Sequence, residues 1–233
     1  MKRTFFLTAI VVITLSLMSF SCEKETTQGL NKDKIEMLTN ETYQLTYNAG
    51  ECVWLSEQPL IASVENGLVT AHLVGKTNVC ANDDACSVIV NPRYNTFREP
   101  LMGVDVTVEA VQQYMKDYDL LENEGGEEGV YAYISKDNTT MYTYSFNGPI
   151  LEMAYVVLPE VSAEEVALFL KERYLPLDEE IEEAFISIDQ QVMVGFLSDM
   201  GMNLVVYFNV PAGQGFPEYE SNMAKARQLI PVQ

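Results

Sequence analysis

An internal repeat narrows what this chain can fold into more than any other feature. Val106-Thr107-Val108-Glu109-Ala110-Val111-Gln112-Gln113-Tyr114-Met115-Lys116 aligns with Val161-Ser162-Ala163-Glu164-Glu165-Val166-Ala167-Leu168-Phe169-Leu170-Lys171, and residues 154–159 align with 206–211. Each half must then be one supersecondary unit. Val111, Tyr114, Met115 and Tyr118 in the first half, and Val166, Phe169 and Leu170 in the second, recur at helical i, i+3, i+4 spacing. Thr107 and Ser162 stand at N-cap positions, and Ser162 with Glu165 forms a capping box. Three strand-like runs follow each helix, at 130–135, 140–146 and 151–158, then 184–188, 191–197 and 203–210, separated by turn residues such as Asp137-Asn138 and Asn147-Gly148-Pro149. The pattern predicts an α+β region over 96–233, built from two αβββ repeats at about 106–159 and 161–211, with a mainly antiparallel sheet and both helices on one face.

Residues 34–92 read differently. Tyr43, Leu45 and Tyr47 alternate, and short runs at 52–55, 62–64, 68–71, 77–81 and 86–90 are separated by turn residues, the spacing of an all-β sandwich. Trp54-Leu55-Ser56, Ala62-Ser63-Val64, Asn66-Gly67-Leu68-Val69-Thr70-Ala71, Gly75 and Cys86-Ser87-Val88-Ile89-Val90 together resemble the bacterial Ig-like group 2 family over about a quarter of the chain. The resemblance implies an Ig-like sandwich, found in surface adhesins and as a spacer in unrelated surface proteins, with Trp54 as a buried anchor. Gly67 then supplies a positive φ before the next strand. The organisation expected is thus multidomain, the sandwich preceding the α+β region, with a boundary at Asn91-Pro92-Arg93-Tyr94.

The N-terminus carries an address. Lys2 and Arg3 precede an apolar run over 5–17, too short to span a bilayer, and Ser19, Phe20 and Ser21 lead to Cys22. This resembles a bacterial lipoprotein signal over 1–21, with Ser21 as the small residue beside the cut, although Ser19 and Phe20 depart from the usual lipobox. The resemblance implies acylation of Cys22, an outer-membrane location and a tether over 22–33. Glu23-Lys24-Glu25 looks like the acidic surface-export signal of some Gram-negative lipoproteins and implies display on the cell surface.

Charge restricts the partners. The chain has a formal net charge of −20, and removing residues 1–21 takes away two basic residues and no acidic ones, leaving −22. Such a field repels nucleic acid, and no Lys/Arg stripe with interleaved aromatics appears. Anionic lipid is disfavoured as well, so the membrane is a partner only through the anchor.

With Cys22 acylated, Cys52, Cys80 and Cys86 remain in the sandwich, and three thiols cannot all pair within one chain. One disulfide, or three small buried thiols, are both open readings. No C-x-x-C spacing suggests zinc. Tyr142, Tyr144 and Phe146 line one strand face, with Tyr131 and Tyr133 nearby. Such a row is either core beneath a helix or a platform that stacks sugar rings. His72 is the one histidine and lies in the sandwich, so no Ser-His or Cys-His dyad can form in the α+β region. Carboxylates cluster at Glu122, Glu124, Glu127 and Glu128 and at Asp178, Glu179, Glu180, Glu182 and Glu183, the pattern of solvated loops. No catalytic residue, metal site or cofactor is assigned from these patterns.

The strands at 191–197 and 204–210 are apolar on both sides, so the sheet's second face needs a cover: the sandwich, residues 223–232, or a partner. The resulting expectation is a surface lipoprotein with a binding or adhesion role toward a protein or glycan, the sandwich serving as spacer. The alternatives are a polysaccharide-acting enzyme or glycan-binding accessory, and a structural subunit of a surface assembly. The sequence does not fix an oligomeric state.

Overall fold

The computed structural model describes residues 29–124, 129–177, 183–199 and 201–210. The fold is β-rich and is built from three open sheets. Cys22, the leader, Glu127, Glu128, Asp178, Glu179, Glu180, Glu182 and residues 223–232 lie outside the described residues.

Seven strands make the first body: β1 (Lys34–Leu38), β2 (Thr42–Gln44), β3 (Trp54–Ser56), β4 (Ala62–Glu65), β5 (Leu68–Ala71), β6 (Gly75–Ala81) and β7 (Asp84–Asn91). They form a four-stranded sheet, β1-β7-β6-β3, and a three-stranded sheet, β2-β5-β4. Inward residues of both sheets, among them Ile35, Ala62, Val69, Val79 and Val88, share one core with Leu45. β1 was not among the expected strands, yet Ile35 and Met37 alternate inward from it and it pairs in parallel with β7. Residues 30–33 were expected as tether and instead belong to the fold. Leu30 bridges Tyr47 and packs against the core, and the Ser87 amide donates to the Asp33 carbonyl at 2.8 Å.

Trp54 is half-buried rather than deep, because β3 is an edge strand and its indole packs at the rim of the core. Asn66 (φ 50°) and Gly67 (φ 81°) make the left-handed turn between β4 and β5. A Cβ at Gly67 would stand 2.5 Å from the Leu45 carbonyl oxygen and 3.0 Å from Trp54 Cζ2. Gly67→Ala should therefore lower stability by about 2 kcal/mol or more, from backbone strain plus the clash, read as a shift in the denaturant midpoint of Trp54 fluorescence.

The second body is one eight-stranded antiparallel sheet with two helices. In chain order come α1 (Val108–Tyr114), β8 (Asp119–Glu124), β9 (Val130–Ile134), β10 (Met141–Asn147), β11 (Ile150–Leu158), α2 (Ala163–Lys171), β12 (Leu175–Pro176), β13 (Ala184–Ile186), β14 (Val192–Asp199) and β15 (Met202–Asn209). Four strands follow each helix where three were expected. The additions, β8 and β12, lie beside acidic or proline-bearing segments whose composition reads as loop. The spatial order is β12-β13-β14-β15-β11-β10-β9-β8, so the two sets of four meet at the β11–β15 pair. Both outer edges are blunted against strand addition: β12 has two residues and a proline, and β8 carries a register shift between Leu120 and Glu122.

Both helices are capped as their sequences suggest. Thr107 accepts from the Ala110 amide at 3.2 Å, and Ser162 and Glu165 complete a reciprocal capping box. Val111 of α1 and its C-cap Met115 join Val166, Phe169 and Leu170 of α2 in one core with the sheet residues beneath them.

Two turns, 52 positions apart, share the hydrogen bonds of their serines. Ser135 Oγ donates to Asp137 and accepts from the Thr139 and Thr140 amides. Ser187 Oγ donates to Asp189 and accepts from the Gln191 and Val192 amides. Asn138 and Gln190, at equivalent places, have φ of 59° and 60°.

Candidate functional site

The tyrosine row lies in the core. Tyr142, Tyr144 and Phe146 point to the helix side of the sheet and are 1, 0 and 3 % exposed. The 94–106 segment lies against them, with Tyr94, Phe97, Met102 and Val106 packed into the same core. Tyr142 Oη donates to the Arg98 carbonyl at 3.0 Å, and Tyr144 Oη accepts from the Leu101 amide at 3.2 Å. Burial raises both phenols' pKa well above the ordinary value. With the ring faces covered, the row cannot stack a sugar; its role is to hold the 94–106 segment to the sheet.

That segment continues into the junction between the bodies. Glu172, just past α2, is 6 % exposed, and its carboxylate accepts from the Arg93 amide at 3.0 Å, the Tyr94 amide at 3.0 Å and Thr39 Oγ1. Its backbone carbonyl accepts from the Val74 amide at 2.7 Å. Thr39 and Val74 belong to the first body, so one residue ties three segments together. Arg173 is equally engaged: it donates to the Phe169 and Tyr94 carbonyls at 3.0 and 2.9 Å, pairs with Glu99 at 3.3 Å and lies 3.7 Å over the Phe169 ring. Ile188, from the turn before β14, packs against the first body's core. A carboxylate and a guanidinium this occupied are structural; neither has a free polar group to offer a ligand.

The sheet's second face is closed within the chain. Met193, Leu197, Leu204, Val206, Phe208 and Val210 form a second core on the side away from the helices and are 0–8 % exposed, with Leu177, Met153, Tyr155 and Val157 packed against it. It is therefore not the open apolar patch that a docking subunit would present. An opening remains at its end. Ile134, Met141, Val157, Pro159, Met202 and Leu204 wall a cavity of about 240 Å³. Asn138, Thr139 and Thr140, from the β9–β10 turn, rim it, and no lining residue is charged. This cavity draws on four separate stretches of chain, and no local motif announces it.

The remaining candidates do not assemble into a reactive site. Cys52, Cys80 and Cys86 are all free thiols. Cys80 and Cys86 face opposite sides of the β6–β7 hairpin, with Cys86 opposite Val79. Cys80 pairs with Leu55, and Cys52 lies three residues before Leu55 along the chain, about 10 Å away, beyond disulfide reach. Burial, and secondarily Asp33, raises the Cys86 pKa, which makes that thiol unreactive. Alkylation of the denatured chain from residue 23 onward, without reductant, should label three thiols; fewer would reveal a bond.

His72 Nε2 is 2.7 Å from Ser63 Oγ on an exposed strand surface, and no carboxylate hydrogen-bonds to it among the described residues. A triad needs that third group to orient the imidazole. Among the described residues no group of three or more His, Cys, Asp or Glu side chains could hold a metal ion, and no helix is long and apolar enough to cross a membrane. Of the carboxylate clusters, Glu122 and Glu124 fall on strand β8 rather than in a loop, and Glu183 precedes β13.

No protein-family profile, curated protein or solved structure matches this chain.

Proposed function

We propose that this chain is a cell-surface lipoprotein with a binding role, anchored through Cys22, in which the seven-stranded body is an Ig-like spacer and the eight-stranded body is the interaction module. The observation that carries the reading is the junction at Glu172. A protein that displays a module away from a membrane benefits from a stiff connection, because a flexible one spends binding free energy on ordering. Here the first body follows the tether in sequence and is fastened to the second by a buried carboxylate with three donors, not by a loose linker.

The order of strands in the first body, its Asn66-Gly67 turn and its shared two-sheet core support the Ig-like reading. The matched Ser135 and Ser187 turns support the reading of the second body as a duplication, with four strands per unit. A glycan-processing role loses its main support with the burial of Tyr142 and Tyr144. The test is a binding screen of the chain from residue 23 onward against host-matrix proteins, glycans and small molecules, beside protease shaving of intact cells. Release of fragments from intact cells together with saturable binding supports the reading; turnover of a substrate, or protection from the protease, counts against it.

A further inference from the structure

The cavity at the end of the second core is large and apolar. Interiors are normally packed with few voids larger than one water. At about 240 Å³ it exceeds the void of about 150 Å³ that stays dry and takes up benzene in an engineered core. Its walls are aliphatic side chains and two thioethers, Met141 and Met202. Thioethers adapt their shape and contact aromatic ring edges favourably. Besides Asn203, whose side-chain amide donates to the Val161 carbonyl, the polar lining is the Asn138–Thr140 rim. There the Thr139 amide and hydroxyl and the Thr140 amide are already used by Asp137 and Ser135. The turn is thereby held in place by its own bonds, and the Asn138 amide and Thr140 hydroxyl make no hydrogen bond to another described side chain.

The equivalent turn of the other half sharpens the contrast. Ile188, beside Ser187, packs against the first body's core, and its turn borders a more open recess that Arg173 and Asp189 make charged, whereas residues 138–140 of the β9–β10 turn border the uncharged cavity.

We propose that this cavity binds a small neutral aromatic or alicyclic molecule of about ten heavy atoms, scaled from the benzene-sized void, with one hydroxyl or amide directed at the Asn138–Thr140 rim. Neutrality follows from the wall, which offers no cation to an anionic ligand and no carboxylate to a cationic one. An anion would also approach against a net charge of −20. The inference names the ligand class for the body read above as the interaction module. It does not depend on the lipid anchor, since the site is complete without it.

The test uses the chain from residue 23 onward, which keeps every described residue, and 1-naphthol as probe, followed by its fluorescence and by ligand-observed NMR. Naphthalene-1-sulfonate serves as the charged analogue. Saturable one-to-one binding of 1-naphthol is expected, weakened at least tenfold for the sulfonate. Val157→Phe and Met202→Phe, each adding bulk to the void, should each weaken 1-naphthol at least tenfold. Leu55→Ser, on the exposed surface of the first body, should leave it unchanged. Near-UV circular dichroism shows whether each filled variant retains its packing, and two variants at separate walls guard against misfolding of one. Absence of saturable binding, equal affinity in the filled variants, or equal affinity for the sulfonate overturns the proposal. Such a result would leave the binding screen with proteins and glycans as the independent test of the broader reading.

Discussion

Replacing Glu172 with alanine should lower stability by about 3–5 kcal/mol, the range for removing one partner from a buried charged network. The substitution strips the acceptor from the Arg93 and Tyr94 amides and from Thr39 Oγ1, all at a junction closed to water. It also removes one of the two carboxylates beside Arg173, whose side chain is 9 % exposed. Unmet buried donors carry their full desolvation penalty, so the effect exceeds the worth of the bonds themselves. Glu172→Gln keeps one acceptor oxygen and should cost roughly half as much.

The same variant should change the form of unfolding. Trp54 is the one tryptophan of the chain and belongs to the first body, whereas Tyr142, Tyr144 and Tyr207 sit in the core of the second. Tryptophan fluorescence and near-UV tyrosine dichroism therefore report the two bodies separately. In the wild type the two probes should follow one transition, and in Glu172→Ala they should separate. Two coincident transitions in the variant would mean that other contacts, such as Ile188 against the first core, carry the coupling.

The second large effect is alkaline unfolding. Burial raises the phenols of Tyr133, Tyr142, Tyr144, Tyr174 and Tyr207 above their ordinary value. An unfolded phenol ionises near pH ~10, while these stay protonated in the folded chain. Their contribution is thus fully present below pH ~10. Above it the unfolded state releases protons the native state retains, so stability falls by up to about 1.4 kcal/mol per pH unit for each such tyrosine. A domain of ordinary stability should unfold cooperatively within roughly two units above pH 10. Absorbance at the phenolate band, recorded with near-UV dichroism, checks this: these tyrosines should ionise together with the loss of packing. Gradual ionisation in a still-packed protein would contradict their burial.

How much of this could be read from sequence depended on whether the signal was local. The helices, their caps and six of the eight strands of the second body follow from periodicity and from turn residues such as Asp137-Asn138, because each lies within one short window. β8 and β12 escaped because Glu122, Glu124 and Pro176 compose poor strands; as edge strands they need only one neighbour and tolerate such residues. β1 escaped although its Ile35 and Met37 alternate, since its partner β7 lies some fifty residues away and pairs in parallel. Trp54 illustrates the limit of a type-based rule: a large aromatic argues for burial, but its place on an edge strand leaves it half-exposed.

The candidate sites were less legible for the same reason. Glu172 reads as one more acidic residue at a helix end, and only the return of Thr39 and Arg93 from distant segments makes it a clamp. The cavity combines Ile134, Met141, Val157 and Met202, each of which alone reads as ordinary core. The tyrosine row, by contrast, was visible in sequence, and its burial had to be learned from the 94–106 segment laid over it.

The proposed tethering at Cys22 is tested most directly by the intact mass of the protein recovered from the membrane fraction, beside a Cys22→Ser variant. A wild-type chain that begins at Cys22 and carries added acyl mass, with a variant lacking both, is the predicted result. A wild-type chain without lipid mass would contradict it.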